Sequence, residues 1–245
     1  MSTPLLPGGT GITYIHTYDT TAPDGLAGGS AHMHLACTEA YYITRGAGKV
    51  QALNPAGYSE TELTPGKLVW FSPGTIHRLV NVDRRLEILV VMQNAGLPEA
   101  GDFVLVFPRE ILRDPGEYRR NAVLSSSGSV AAGSIESANR RRDLSIEGFS
   151  ELKRAFESEG AGPLEEFYTV ALELVREKLD DWRKTWQSGP VAAVDDTRAV
   201  LESLAGGSIE TLLRGRIAEL DCAGDKTLGM CGRLDTYRPE GVVIG

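Results

Sequence analysis

Histidine and cysteine are the scarce residues of this 245-residue chain, with four of the first and three of the second. Cys37, Cys222 and Cys231 are too few for a disulfide framework, and their odd number fits a reducing compartment, so a cytoplasmic protein is expected. Positive charge is short as well: 25 Lys and Arg face 33 Asp and Glu, a formal net charge of −8. Such a field repels nucleic acid and anionic membrane surfaces, and neither is expected as a partner. Long hydrophobic runs are missing. The strongest, Leu86 to Met92, contains Glu87 and falls well short of a bilayer-spanning length. The first fifteen residues, MSTPLLPGGTGITYI, carry no Lys or Arg and are broken by Pro and Gly, so no secretory leader is expected. What remains is a globular composition, 42% hydrophobic and 24% charged, in a chain long enough for one large domain or two smaller ones.

The pattern changes along the chain. Up to about residue 107, short apolar or alternating runs (GITYIHTY, EAYYIT, KLVWF, HRLVNV, LEILVVM, FVLVF) lie between Gly, Pro, Asn and Asp, the signature of a β sandwich or barrel. Arg45-Gly46-Ala47-Gly48 reads as a hairpin turn between two such runs. The Ser- and Gly-rich stretch from Ser125 to Ser134 reads as a connector, with Arg140-Arg141-Arg142 as a solvated face or a partner for acidic helices. From Pro163 to Gln187, Leu164, Phe167, Ala171, Leu174, Val175, Leu179, Trp182 and Trp186 recur at helical spacing, with Gly189-Pro190 as the stop. Shorter helices are expected over 146–157, 194–205 and 208–220, the last capped by Ser208. The domains expected are a β barrel over 1–115, a connector over 116–145, a helical region over 146–220, and a Gly-rich tail over 221–245. The closing VVIG of that tail could return as an edge strand.

Three of the four histidines have informative spacings. His32 and His34 lie two apart and so share one face of a strand. Glu39 follows five residues later, and His77 opens another strand after Pro73-Gly74. If neighbouring strands bring them together, three imidazoles and a carboxylate converge, which is a transition-metal site in donor type and number. Tyr41, two residues past Glu39, should face the same interior and could orient a substrate or donate a proton. Glu87 could be a buried general base or could face outward. Trp70 could line the pocket, Arg78 should point away from it by alternation, and Cys37 could approach the metal or be a buried thiol. His16 is expected to be structural.

The constellation Gly29-x2-His32-x-His34-x4-Glu39-x6-Gly46, followed by Gly66-x6-Pro73-Gly74-x2-His77-x3-Asn81, resembles the paired motifs of the cupin superfamily over residues 10–107. The resemblance implies a cupin-type double-stranded β-helix, a jelly-roll barrel followed by a helical C-terminal region. It implies one divalent transition metal (Fe, Mn, Ni, Cu, Co or Zn) held by His32, His34, Glu39 and His77, with Gly46, Gly74 and Asn81 as framework positions. Such a site leaves about two octahedral positions open, so the expected function is a metal-dependent enzyme on a small oxygenated molecule, foremost a dioxygenase. A redox-neutral isomerase or decarboxylase uses the same donors. A non-catalytic module, sensing a small molecule through the barrel and dimerising through the helices, is the alternative of another class. Tyr41 and Glu87 are the candidate catalytic residues, and a homodimer is expected.

Overall fold

Alternation with a period of two sets the architecture. In β8 (Glu87–Met92), Ile88, Val90 and Met92 are buried and the residues between them are not. In β3 (Glu39–Arg45) the buried set is Glu39, Tyr41 and Ile43. Strands patterned this way have one face to bury, and these two pair antiparallel with Tyr41 opposite Val90 and Ile43 opposite Ile88. Adding β1 (Gly11–Thr17), β6 (Leu68–Phe71), β11 (Thr227–Leu228) and β12 (Gly232–Thr236) gives a six-stranded sheet in the order β11-β12-β1-β8-β3-β6. A second sheet has the order β5-β4-β7-β2-β9, with β5 at Gly57–Leu63, β4 at Gly48–Asn54, β7 at Ile76–Asn81, β2 at His32–Met33 and β9 at Val104–Leu105. Ile15, Tyr41, Ile43, Val50, Leu79, Ile88 and Val90 belong to the shared core between the two sheets. The chain thus forms a jelly-roll β barrel with a helical extension. The computed structural model describes residues 6–124, 134–224, 226–237 and 243–244. Among these, no helix is long and apolar enough to cross a membrane.

Several local expectations are corrected. Arg45-Gly46-Ala47-Gly48 is not a hairpin, because β3 pairs with β6 and β8 while β4 pairs with β5 and β7. The turn carries the chain from one sheet to the other. Gly46 has φ +77°, and a Cβ there would lie 2.4 Å from the Arg85 carbonyl oxygen, so no other residue fits this crossing. Of the expected connector, residues 125–133 lie outside the described residues. What flanks them is helical: α1 (Arg109–Leu112), α2 (Pro115–Ala122, capped by Asp114) and α3 (Ile135–Glu159, capped by Ser134).

The buried stripe of α3 includes Ala138, Arg142, Ser145 and Phe149, and two arginines in such a stripe conceal its period in the sequence. Arg142 is 1% exposed and donates to the Thr20 and Thr21 carbonyls at 2.9 and 3.0 Å, while Arg141 donates to the Gly229 carbonyl at 2.7 Å. The triplet is therefore internal, and only Arg140 is exposed.

The long helix expected over 163–187 is α4 (Gly162–Val175), a tight turn and α5 (Leu179–Trp186). Gly189-Pro190 does not stop it. A wide π turn over Gln187–Val191 takes in the proline and leads into α6 (Ala192–Ala205). No helix spans 208–220; a single turn at Leu212–Arg214 ends at Gly215, too short a run to nucleate more. The tail does meet the barrel, though not through VVIG: β12 pairs with β1, Ile15 opposite Leu234, whereas β10 (Ala218–Glu219) pairs with β13 (Val243–Ile244).

Outside the barrel wall, Arg78 is 1% exposed and forms an ion pair with Asp24. Burial raises the Asp24 carboxyl, but the Arg78 hydrogen bond outweighs it and the net shift is below the ordinary 3.8. The Asp24→Asn variant leaves the guanidinium without its counter-charge, at a cost of about 1–3 kcal/mol at neutral pH, moderated because Asp24 itself is partly in water. A carboxyl depressed in the folded state stabilises above its unfolded pKa and ceases to do so as pH falls through the folded value. Urea titrations of both proteins should therefore show a gap at pH 7 that narrows below pH 3.8; a gap independent of pH would refute the assignment.

Candidate metal centre

The strand pairing brings the spaced histidines together. His32 on β2 stands directly opposite His77 on β7, and His34 follows two residues on. Glu39 reaches the same point from the opposing sheet. One ligand atom from each of His32, His34, Glu39 and His77 lies within 4.8 Å of the others, and all four residues are buried. Among the described residues no other His, Cys, Asp or Glu joins this group. Ring centroids of His32 and His77 are 4.4 Å apart, and the Phe71 ring, tilted by 36°, lies 4.0 Å from His77 as an apolar wall.

Each imidazole is oriented through its far nitrogen. His32 Nδ1 lies 3.0 Å from the Ser30 carbonyl and His77 Nδ1 lies 3.1 Å from that of Thr75, while His34 Nδ1 is hydrogen-bonded to the Asp102 carbonyl. A carbonyl only accepts, so each Nδ1 carries a proton and each Nε2, in the neutral ring, turns its lone pair to the common centre. His77 Nε2 and Glu39 Oε2 are buried and face each other at 3.0 Å. Three inward imidazole nitrogens and a carboxylate oxygen are a donor set suited to a divalent cation.

Electrostatics follow the same geometry. Burial and the neighbouring His77 and His34 hold His32 well below the ordinary range, so it is neutral. Burial would also depress His34, but Asp102 and Glu39 outweigh it and raise the ring. Burial raises Glu39, whereas His77 and His34 more than reverse that and keep it anionic. Burial pushes Tyr41 well above its usual value, with Glu39 adding to the effect, so its phenol stays protonated.

Tyr41 lies where the spacing predicts. It is 0% exposed, its hydroxyl has no hydrogen-bond partner, and its ring meets Phe71 and His77 edge to face. Glu87 is not at the site. It sits out of phase with the buried set of β8, and on the outer surface accepts from Tyr14 at 2.8 Å and Arg45 at 3.3 Å. Trp70 is 68% exposed. Cys37 is buried but outside the group, and His16 is held by Asp235 at 2.8 Å on the outer face.

Two residues escaped the sequence reading. Asp102, fully buried, receives the Leu35 and Ala36 amides at 3.0 and 2.9 Å and backs His34 with its other oxygen 3.8 Å from Nδ1. Cys231, 3% exposed on the returning tail, interacts with Tyr41 and Glu39. It is admitted by Gly29, where a Cβ would lie 2.6 Å from the Cys231 Cα. Only a strand returning from the far end of the chain delivers this thiol, and no local motif signals it.

Helices α4 and α5 and the turn between them hold the adjoining loops. Tyr168 donates to the Gly74 carbonyl at 2.7 Å, Trp182 to Ala100 at 3.1 Å and Lys178 to Gly101 at 3.3 Å.

The family profile of the cupin domain matches residues 7–92. No curated protein matches the chain. Among solved structures, the chain is similar to a TDP-fucose-3,4-ketoisomerase of Campylobacter jejuni, at 14% identity and a TM-score of 0.32, over 38% of this chain and 64% of that one. It is similar to KdgF of a Halomonas species, at 21% identity and a TM-score of 0.24, over 27% and 57%. A Bacillus subtilis oxalate decarboxylase aligns at 21% identity and a TM-score of 0.25, over 26% and 17%. This chain thus spans less than two thirds of each of them.

Metal content tests the cluster. Elemental analysis of untagged protein should find about one divalent transition metal per chain, and His34→Ala or His77→Ala should reduce it at least tenfold. Because the imidazoles must be unprotonated to bind, occupancy should fall on acidification. Metal at a hundredfold excess over Kd should add about 2.7 kcal/mol to the stability of the stripped wild type and nothing to the variants. Equal metal content in wild type and variants would dismiss the site.

Proposed function

Residues 7–92 belong to the cupin superfamily, and on that basis we propose that the protein is a metal-dependent enzyme acting on a small oxygenated molecule, foremost a dioxygenase. The observation that carries this reading is the donor set: four buried protein donors converge and no fifth joins them among the described residues, which would fill four positions of an octahedral metal and leave two for reactants. A divalent transition metal bound there would supply a Lewis acid for an enolate, diol or carboxylate oxygen and, if redox-active, a centre for dioxygen chemistry. The chain's own residues supply the setting. Ser30, Thr75 and the Asp102 backbone hold the three rings. Phe71 and the surrounding core exclude water, which strengthens every polar interaction within. Tyr41 holds a proton on its Oη in this dry interior.

That neutral, unpartnered hydroxyl favours a second reading within the same site, redox-neutral isomerisation or decarboxylation, in which Tyr41 donates its proton to a developing oxyanion. Dioxygen consumption separates the two. For the oxygenase, turnover of enolisable, diol or carboxylate substrates should stop under anaerobic conditions and both oxygen atoms should enter the product; continued anaerobic turnover overturns it in favour of the second reading. Tyr41→Phe should lower kcat about 10²-fold with metal content unchanged if the hydroxyl acts as an acid. Saturable ligand binding with no turnover of any bound compound would instead support a non-catalytic module.

The expected homodimer has a surface that supports it. Tyr42, Leu68 and Trp70, at 43%, 53% and 68% exposure, lie together on the outer face of β3 and the edge strand β6. Trp70→Glu should convert a dimer to a monomer in light scattering, and a mass unaffected by the change would discount this face.

A further inference from the structure

A cavity of about 330 Å³ lies between the barrel wall and helices α1, α3 and α4, and none of the metal donors lines it. Its floor is apolar and built from buried residues: Val106, Phe107, Leu112 and Phe167. Its volume falls in the range of small-molecule sites, about 300–1,000 Å³. The α3 wall is the stripe Gly148, Glu151, Ala155 and Glu159, which helical spacing puts on one face. Gly148 presses this face onto the floor, since a Cβ there would lie 2.2 Å from the Phe107 carbonyl carbon.

Glu151 differs from the other carboxylates of the fold. It is half-buried on the cavity wall and has no hydrogen bond or ion pair among the described residues. Every other described carboxylate withdrawn this far from solvent has a partner, as Glu87 has Arg45, Asp143 has Arg142 and Asp235 has His16. The guanidiniums across the cavity do not serve Glu151. Arg109 and Arg113 both donate to Glu166, at 2.6 and 3.2 Å, and Arg109 first, then Arg113, hold it below the usual carboxylate range, so it stays anionic. Three carboxylates and two guanidiniums therefore line the cavity, and the charge left over is negative.

We propose that this cavity binds a small organic cation, an ammonium on an apolar alkyl or aryl body, its head seated on the Glu151 carboxylate and its body on the Phe107–Phe167 floor. Glu151 lacks a donor and an ammonium brings three. Their charge-assisted hydrogen bond forms beside apolar surface, where it is worth more than in open water. The apolar floor supplies affinity in proportion to the area that the ligand covers. Glu159 adds a second negative charge on the same wall, while Arg109 and Arg113 repel the head from the far side and confine it to α3. An anion meets two carboxylates without counter-ions and two guanidiniums already bonded to Glu166. The site does not depend on the metal centre or on the reaction assigned to it.

Calorimetry and methyl NMR with octylamine, octan-1-ol and octanoate as probes test this on the full chain. Octylamine should bind saturably at one site per chain, octan-1-ol about tenfold more weakly, and octanoate not at all. Glu151→Gln, which keeps the shape of the side chain and removes its charge, should weaken octylamine about tenfold and leave octan-1-ol unchanged. Ala155→Trp, which fills the cavity, should abolish both while metal content stays at the wild-type level. Octylamine binding that is non-saturable, unaffected by Glu151→Gln, or matched by octanoate would overturn the proposal.

Discussion

Taking three imidazoles and a carboxylate out of water is the constraint to which the rest of this structure answers. A buried polar group without a partner costs roughly 1–3 kcal/mol, and an ionised one more. In this barrel the cost is divided. One nitrogen of each ring is satisfied by a backbone carbonyl, of Ser30, Thr75 or Asp102, while His77 Nε2 and Glu39 Oε2 have only each other, at 3.0 Å. Because the satisfied nitrogen is the outer one in each case, the remaining atoms all face a single point.

The position of the donors depends on register more than on side-chain type. Glu39 and Glu87 both open strands of the six-stranded sheet, and β3 and β8 are direct neighbours. Glu39 is in phase with Tyr41 and Ile43 and faces the centre. Glu87 is one residue out of phase with Ile88, Val90 and Met92, and its carboxylate lies among Tyr14, Arg45 and His16 on the outer surface. A shift of one residue in β8 would turn Glu87 inward and expose Ile88, Val90 and Met92.

The same arithmetic explains what could be read without coordinates. His32, His34, Glu39, Tyr41 and His77 were legible because period-two spacing fixes the face within each strand and the two motifs lie close in sequence. The alternation of β8 was equally visible, but its phase relative to the core was not, so Glu87 could not be placed. Asp102 and Cys231 reach the site from a loop and from the far end of the chain. Long-range pairing such as Ile15 with Leu234 has no local signature. The helical region was legible as helical, but Arg141 and Arg142 concealed the inner stripe of α3 because buried arginine breaks the apolar pattern. Gly189-Pro190 misled for a related reason: a wide turn accommodates a proline that an ordinary helical turn rejects.

The helical region is tied to the barrel by polar bonds whose acceptors are specific. Tyr168 binds the carbonyl of Gly74, adjacent to Thr75, whose own carbonyl orients His77. Lys178 and Trp182 bind the carbonyls of Gly101 and Ala100, immediately before Asp102, which orients His34. A side-chain donor on a packed helix restrains a loop carbonyl more tightly than solvent does, since water exchanges and a helix does not. Two of the three ring orientations thus depend on loops that α4 and α5 hold in place. His32 differs, because its anchor at Ser30 is fixed by the tail through the Met230 carbonyl, which accepts from the Ser30 amide at 2.9 Å. The segments that lie outside the barrel in sequence therefore set the geometry inside it: without α4, α5 and the returning tail the strands could still pair, but the imidazoles would lose the supports that point them at one another.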